Sequence, residues 1–258
     1  MSLNHNIKET REYIHKKPPR NIKKILSQIE LFEISPRIFA LVIKDDKLRA
    51  RVFLRYQEFY ESDSDTFRGK GFKWRDYIEY YKDKTKKDYF SYHEDFAGYN
   101  IPCDTIEACI KKIPDLNIYD MIMFSVVDTI RGIVGSDNFY LIGIDQNDGE
   151  DESLIHHEFA HGLWFSDPIY KTKMSKAIED IPSNTRQSIY KKIGELGYGE
   201  NVYDDELQAY LATGIIPEFA RIKDIKKEAV KFKNIFDKYS TKISPRKITI
   251  DWSTDLDK

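Results

Sequence analysis
His157, Glu158 and His161 stand in the run Ile155-His156-His157-Glu158-Phe159-Ala160-His161-Gly162-Leu163, with the spacing H-E-x-x-H. Residues four apart on an α-helix lie one turn above each other, so this spacing aims two imidazoles at a single point. A tetrahedral Zn²⁺ takes ligands of that kind. Glu158, one step round the helix, is placed to reach a water on the ion without ligating it. The chemistry such a set performs is hydrolysis: the metal acidifies the water to a pKa of about 7, and the carboxylate takes its proton.

The surroundings read as a buried helix. Phe159, Ala160 and Gly162 carry no charge, and Leu154, Ile155, Leu163, Trp164 and Phe165 are apolar. Two imidazoles and a carboxylate are costly on such a helix unless they are paired or hold a metal. The plain alternative is a structural His-Glu-His cluster.

The stretch resembles the zincin metallopeptidases, whose pattern surrounds H-E-x-x-H with uncharged and apolar positions. The resemblance extends over about residues 115–220 and implies a Zn²⁺-dependent peptidase acting on a peptide or protein substrate. It implies a helix, a strand and then the metal helix, in that order. It also implies a sheet edge that takes extended substrate backbone by strand addition, with residues 139–144 as the candidate.

A catalytic zinc keeps three protein ligands. No histidine follows His161, which rules out the long histidine motif of the metzincins. Asp167 falls at the corresponding position and is the alternative third ligand, but Trp164 stands where that geometry needs a glycine. Glu206, in Glu206-x-x-Ala209-Tyr210-x-Ala212, looks like the ligand helix of the gluzincins, where small residues let the helix approach the metal. Many gluzincins carry, four residues after that Glu, an Asp that orients a ligand histidine. Here the position holds Tyr210, whose phenol could make the bond, and Asp204 or Asp205 is the alternative. Glu206 also has a bland reading, as an exposed acid favoured near a helix N-terminus. The resemblance further implies an oxyanion donor, with Tyr198, Tyr203 and Tyr210 as candidates.

The chain must supply elements to hold these groups. Its 258 residues are enough for a large core, and 17 Tyr and 15 Phe argue for a folded protein. The net charge of −2, with 33% charged residues, gives no basic excess for nucleic acid. Two cysteines, Cys103 and Cys109, make no disulfide framework and read as reduced core thiols. The polar N-terminus and the lack of a spanning apolar run read as a cytoplasmic protein with no membrane partner.

The overall expectation is an α+β fold. Residues 1–114 form a mixed α/β region of unassigned role and 115–258 a zincin-like region, the two together allowed to be one domain. Residues 1–20 read as a loose arm, 21–32 as a helix broken by Pro36, 37–43 as a strand, and 48–60 as a strand or helix. Arg68-Gly-Lys-Gly71 lacks the residues of a phosphate loop. Short helices follow at 74–81 and 104–112, the second capped by Asp104 or Thr105. His93-Glu94-Asp95 between them is a capped turn or a second metal site. A buried helix of about four turns starts near Asn117 and ends at Gly132 or Gly135. A strand at 138–144, an acidic turn and the metal helix, capped by Asp151 or Ser153, come next. Helices at 168–180, 183–196, 203–214 and 219–239 and a strand at 247–252 complete the chain. Two rival functions stay open: a non-catalytic zincin-like binding or regulatory protein with a structural zinc, and a metal-free helical interaction protein.

Overall fold
Residues Ile38–Ile43 read IFALVI, without a polar position, and a strand of that composition has to be covered on both faces. All six are buried. Phe39, Leu41 and Ile43 join one apolar cluster, while Ile38, Ala40 and Val42 join another, as the two-residue alternation of a strand requires. The computed structural model describes residues 22–96, 98–135, 138–145, 152–241 and 243–252. The arm at 1–20, Asp151 as a cap and most of the acidic turn lie outside the described residues.

In chain order the elements are α1 (Ile22–Leu26), β1 (Ile29–Ser35), β2 (Ile38–Ile43), α2 (Asp46–Glu61), α3 (Trp74–Thr85), α4 (Tyr92–Asp95), β3 (Tyr99–Pro102), α5 (Cys103–Ile110) and α6 (Ile118–Val134). They continue with β4 (Tyr140–Ile144), α7 (Glu152–Ser166), α8 (Pro168–Glu179), α9 (Ser183–Glu195), α10 (Tyr203–Thr213), α11 (Ile225–Ser240) and β5 (Arg246–Ile248), with single 3₁₀ turns before α10 and α11. The strands form one mixed sheet in the order β3-β4-β2-β1-β5, so the fold is α+β. The β2–β4 pair is parallel and the other pairs are antiparallel. Strands from both sides of residue 114 share this sheet. Among the described residues no helix is long and apolar enough to cross a membrane. Cys103 and Cys109 are buried and not joined in a disulfide.

The helix expected at 21–32 is two elements. It stops at Leu26, and from Ile29 the buried positions alternate as a strand, with Ile29 and Leu31 inward and Glu30 between them. Pro36 and Arg37 form the turn to β2, Arg37 taking φ 67°. Residues 48–60 are helical, with Asp45 accepting from the Leu48 N–H as N-cap. Asn117 and Asp120 form a capping box at the start of α6, which ends on Gly135. In contrast, α5 starts after Pro102, so neither Asp104 nor Thr105 is its cap, and Ser153 lies inside α7.

One expectation bears on the site. Residues 139–144 are not a sheet edge: β4 is paired on one side with β3 and on the other with β2. The edge strand on that side is β3, antiparallel to β4.

Candidate metal centre
Helix α7 lies close against the sheet because Gly162 has no side chain there. A Cβ at that position would meet Ile38 Cγ2 at 2.9 Å. Phe159, Ala160 and Leu163 bury its apolar side, and His157 and His161 meet α10. The two Nε2 atoms stand 3.2 Å apart. Glu206 places Oε2 4.0 Å from His157 Nε2 and Oε1 3.7 Å from His161 Nε2. One ligand atom from each of the three fits within a 4.8 Å span. Bonds of about 2.0–2.2 Å to a tetrahedral zinc would hold ligand atoms about 3.3–3.6 Å apart. The three donors therefore stand near the spacing an ion imposes.

The donor set has a second property that fits a cation. Glu206 is 3% exposed, which removes the bland reading of a surface acid, and its Oε2 is buried without a hydrogen-bond partner. An orphaned buried acceptor costs about 1–3 kcal/mol, more when charged. Burial pushes the Glu206 carboxyl up, against the opposing pull of His161, and Asp205 and Glu158 add to the rise. Glu61 is pushed up well above the carboxylate range by burial and by the negative charge of Glu206. A bound divalent cation would reverse these penalties. The residues fit zinc.

Each imidazole is oriented by a partner on α10. His161 Nδ1 donates to Asp205 Oδ1 at 2.8 Å, which turns Nε2 towards Glu206 and His157, where a bound metal would displace its proton. Burial alone would lower His161, but Asp205 and Glu206 raise it to about 10. Asp205 is itself held by Gln208 Nε2 at 3.1 Å. The Thr213 hydroxyl donates to Ala209 O and meets His157 Nδ1 at 3.4 Å as an acceptor, which leaves the Nε2 lone pair on the cluster side. Burial and the neighbouring His161 hold His157 well below its ordinary range. Orientation of the histidine thus falls to Asp205, not to Tyr210, and Asp204 instead accepts from Tyr190. Replacing Asp205 by alanine is expected to weaken zinc binding roughly 10–100-fold, the usual effect of losing such an orienting carboxylate. Competition against a zinc-chelating dye measures this, and unchanged affinity would remove the orienting role.

Glu158 is 6% exposed and held from the opposite side of the cavity. Asn100 Nδ2 on β3 donates to its Oε2 at 2.8 Å, and Tyr140 O–H donates to Asn100 Oδ1 at 2.6 Å, which fixes the amide's orientation. Gly98 makes room for the other oxygen, since a Cβ there would come within 2.8 Å of Glu158 Oε1. Nothing in the sequence around Tyr99–Pro102 singled out these partners, because they meet Glu158 only through the sheet.

The remaining candidates separate. The rings of Tyr210 and His157 are 4.7 Å apart, the Tyr210 and Tyr198 hydroxyls are 3.3 Å apart, and both tyrosines line the cavity beside the cluster. Tyr203 packs on Tyr190 and is not in that lining. Asp167 caps α8, its Oδ1 accepting from Ile169 N and Tyr170 N at 2.9 Å, and is not in the metal group. His93 lies in the short helix α4, and no second metal group forms among the described residues. No family model matches the chain, and neither a curated protein nor a solved structure matches it.

Proposed function
We propose that the chain is a zinc-dependent peptidase, with His157, His161 and Glu206 as metal ligands and Glu158 as general base. The observation that carries this reading is the convergence of the three donors, with an orphaned Glu206 oxygen, next to a carboxylate that is not among them. They open on a cavity of about 820 Å³, room for several peptide residues. Bound zinc would supply Lewis acidity, lowering the pKa of a water towards 7 and polarising the substrate carbonyl.

The protein groups do the rest. Glu158, steadied by Asn100, accepts the proton of the attacking water and returns it to the leaving amine. Asp205 and Thr213 keep the two imidazoles in the ligating tautomer. Tyr210 or Tyr198 supplies the hydroxyl that stabilises the oxyanion. The edge strand β3 carries Asn100 and replaces β4 as the segment to which an extended substrate would pair.

The test is metal content together with cleavage of a mixed peptide library, read by mass spectrometry. About one zinc per chain is expected, with cleavage stopped by a chelator and restored by zinc. Stoichiometric zinc without cleavage of any peptide favours the non-catalytic zinc protein. No metal, even after zinc is added, removes both readings.

A further inference from the structure
The cavity beside the metal cluster extends along the last turn of α2, and its charge is unbalanced. Among the described residues six carboxyl groups line it (Glu58, Glu61, Asp63, Asp95, Glu158 and Glu206), against one lysine, Lys84, and the two histidines of the cluster. That lysine is already 2.6 Å from Asp63 Oδ2.

Gln57 adds an independent sign of a missing donor. It lines the same cavity and is 3% exposed. Its amide nitrogen donates to Glu61 Oε1, which fixes the amide and leaves Oε1 buried without a hydrogen-bond partner. An acceptor left this way costs about 1–3 kcal/mol until a donor arrives. Glu58 and Glu61 flank it on the same helix. Tyr77 and Tyr81 complete the wall with aromatic surface, which suits an alkyl stem carrying a cationic head. Glu61 lines the same cavity as Glu158 and Glu206, so this subsite adjoins the bond to be cut.

We infer that the groove formed by Gln57, Glu58 and Glu61 binds a cationic nitrogen of the substrate, an ammonium or guanidinium next to the scissile peptide bond. The donor hydrogen-bonds to Gln57 Oε1, and its charge offsets Glu61 and Glu58. This specificity rests on the peptidase reading, but binding of the cation does not need turnover. Two parts of a peptide carry the required chemistry: a lysine or arginine side chain, and the free N-terminus.

The experiment uses zinc-loaded full-length Glu158→Gln protein and fluorescence anisotropy of hexapeptides labelled at the C-terminus. The peptides carry lysine or norleucine at the third position, each with a free or an acetylated N-terminus. Removing the recognised charge is expected to weaken binding about tenfold or more, and the norleucine and acetyl arms tell which nitrogen it is. Glu61→Gln, added to the same protein, should erase the difference between charged and uncharged peptides, and Glu58→Gln should reduce it. The proposal is overturned if the acetylated norleucine peptide binds as tightly as the doubly charged one, if Glu61→Gln and Glu58→Gln leave the preference intact, or if no peptide binds. Wild-type cleavage of the same peptides is read in parallel. Charge-dependent binding without any cleavage would sink the peptidase reading and keep the subsite; cleavage blind to charge would do the reverse.

Discussion

Purified Glu206→Ala protein is expected to carry far less zinc than the wild type, with affinity lowered by roughly a hundredfold or more. Loss of an outer partner of a ligand already costs about 10–100-fold, and loss of the ligand itself should exceed that. The stability readout is sharper. Metal that binds only the folded chain adds about 4 kcal/mol when free zinc is a thousand times Kd. For a chain of this size each kcal/mol moves Tm by about 2–4 °C, so a chelator should lower the wild-type Tm by about 8–16 °C and that of the variant, with affinity a hundredfold lower, by no more than about 3–6 °C. Glu206→Gln separates ligation from ordinary ion pairing. Burial works against the Glu206 charge more than His161 relieves it, so in the absence of metal the glutamine variant should be at least as stable as the wild type. A structural ion pair predicts the opposite, because breaking a buried pair by removing one partner costs about 3–5 kcal/mol. If Glu206→Gln destabilises the metal-free protein by that much, Glu206 is a partner of the histidines and not a ligand.

Where the relevant contacts are local in sequence, this site could be read in advance. The i, i+4 spacing of His157 and His161 decides their common face whatever surrounds the helix, and Ala209 and Ala212, both buried, mark the closely packed side of α10. The division of labour between Asp205 and Glu206 was harder. Two adjacent acids point about a hundred degrees apart on a helix, and only the position of α7 decides which one meets His161 Nδ1 and which meets the Nε2 side. The sheet was the least legible part. A short apolar run such as Tyr140–Ile144 reads alike as an edge or a central strand until its neighbours are known, and these come from residues 38–43 and 99–102. Asn100, Gly98, Thr213 and Gln57 had no motif to announce them. Three of them matter through a contact formed across the fold, Asn100 and Gly98 with Glu158 and Thr213 with His157, while Gln57 meets Glu61 one turn along its own helix and matters through the cavity that both line.

Glu158→Gln should keep the zinc and the Tm of the wild type while lowering kcat by about 10²–10⁴, the range a positioned general base contributes. The amide is nearly isosteric, its oxygen can still accept from Asn100 Nδ2, and Glu158 is not one of the three ligand residues. A glutamine cannot take a proton from water, so the loss should fall on kcat and leave KM little changed. The role of Asn100 then follows from a double-mutant cycle. Asn100→Ala in the wild-type background should lower kcat, because it frees the Glu158 carboxylate to rotate; in the Glu158→Gln background it should have almost no further effect on kcat. It will also cost stability in both backgrounds by about 1–3 kcal/mol, since the Tyr140 hydroxyl, 1% exposed as a residue, loses its acceptor. Stability and rate therefore separate: additive losses in Tm alongside non-additive losses in kcat place Asn100 behind Glu158 in the same proton transfer. Full cleavage by Glu158→Gln would leave that carboxylate as no more than an acceptor for Asn100, and the base would have to be sought among the other acids that line the cavity, Glu61 among them.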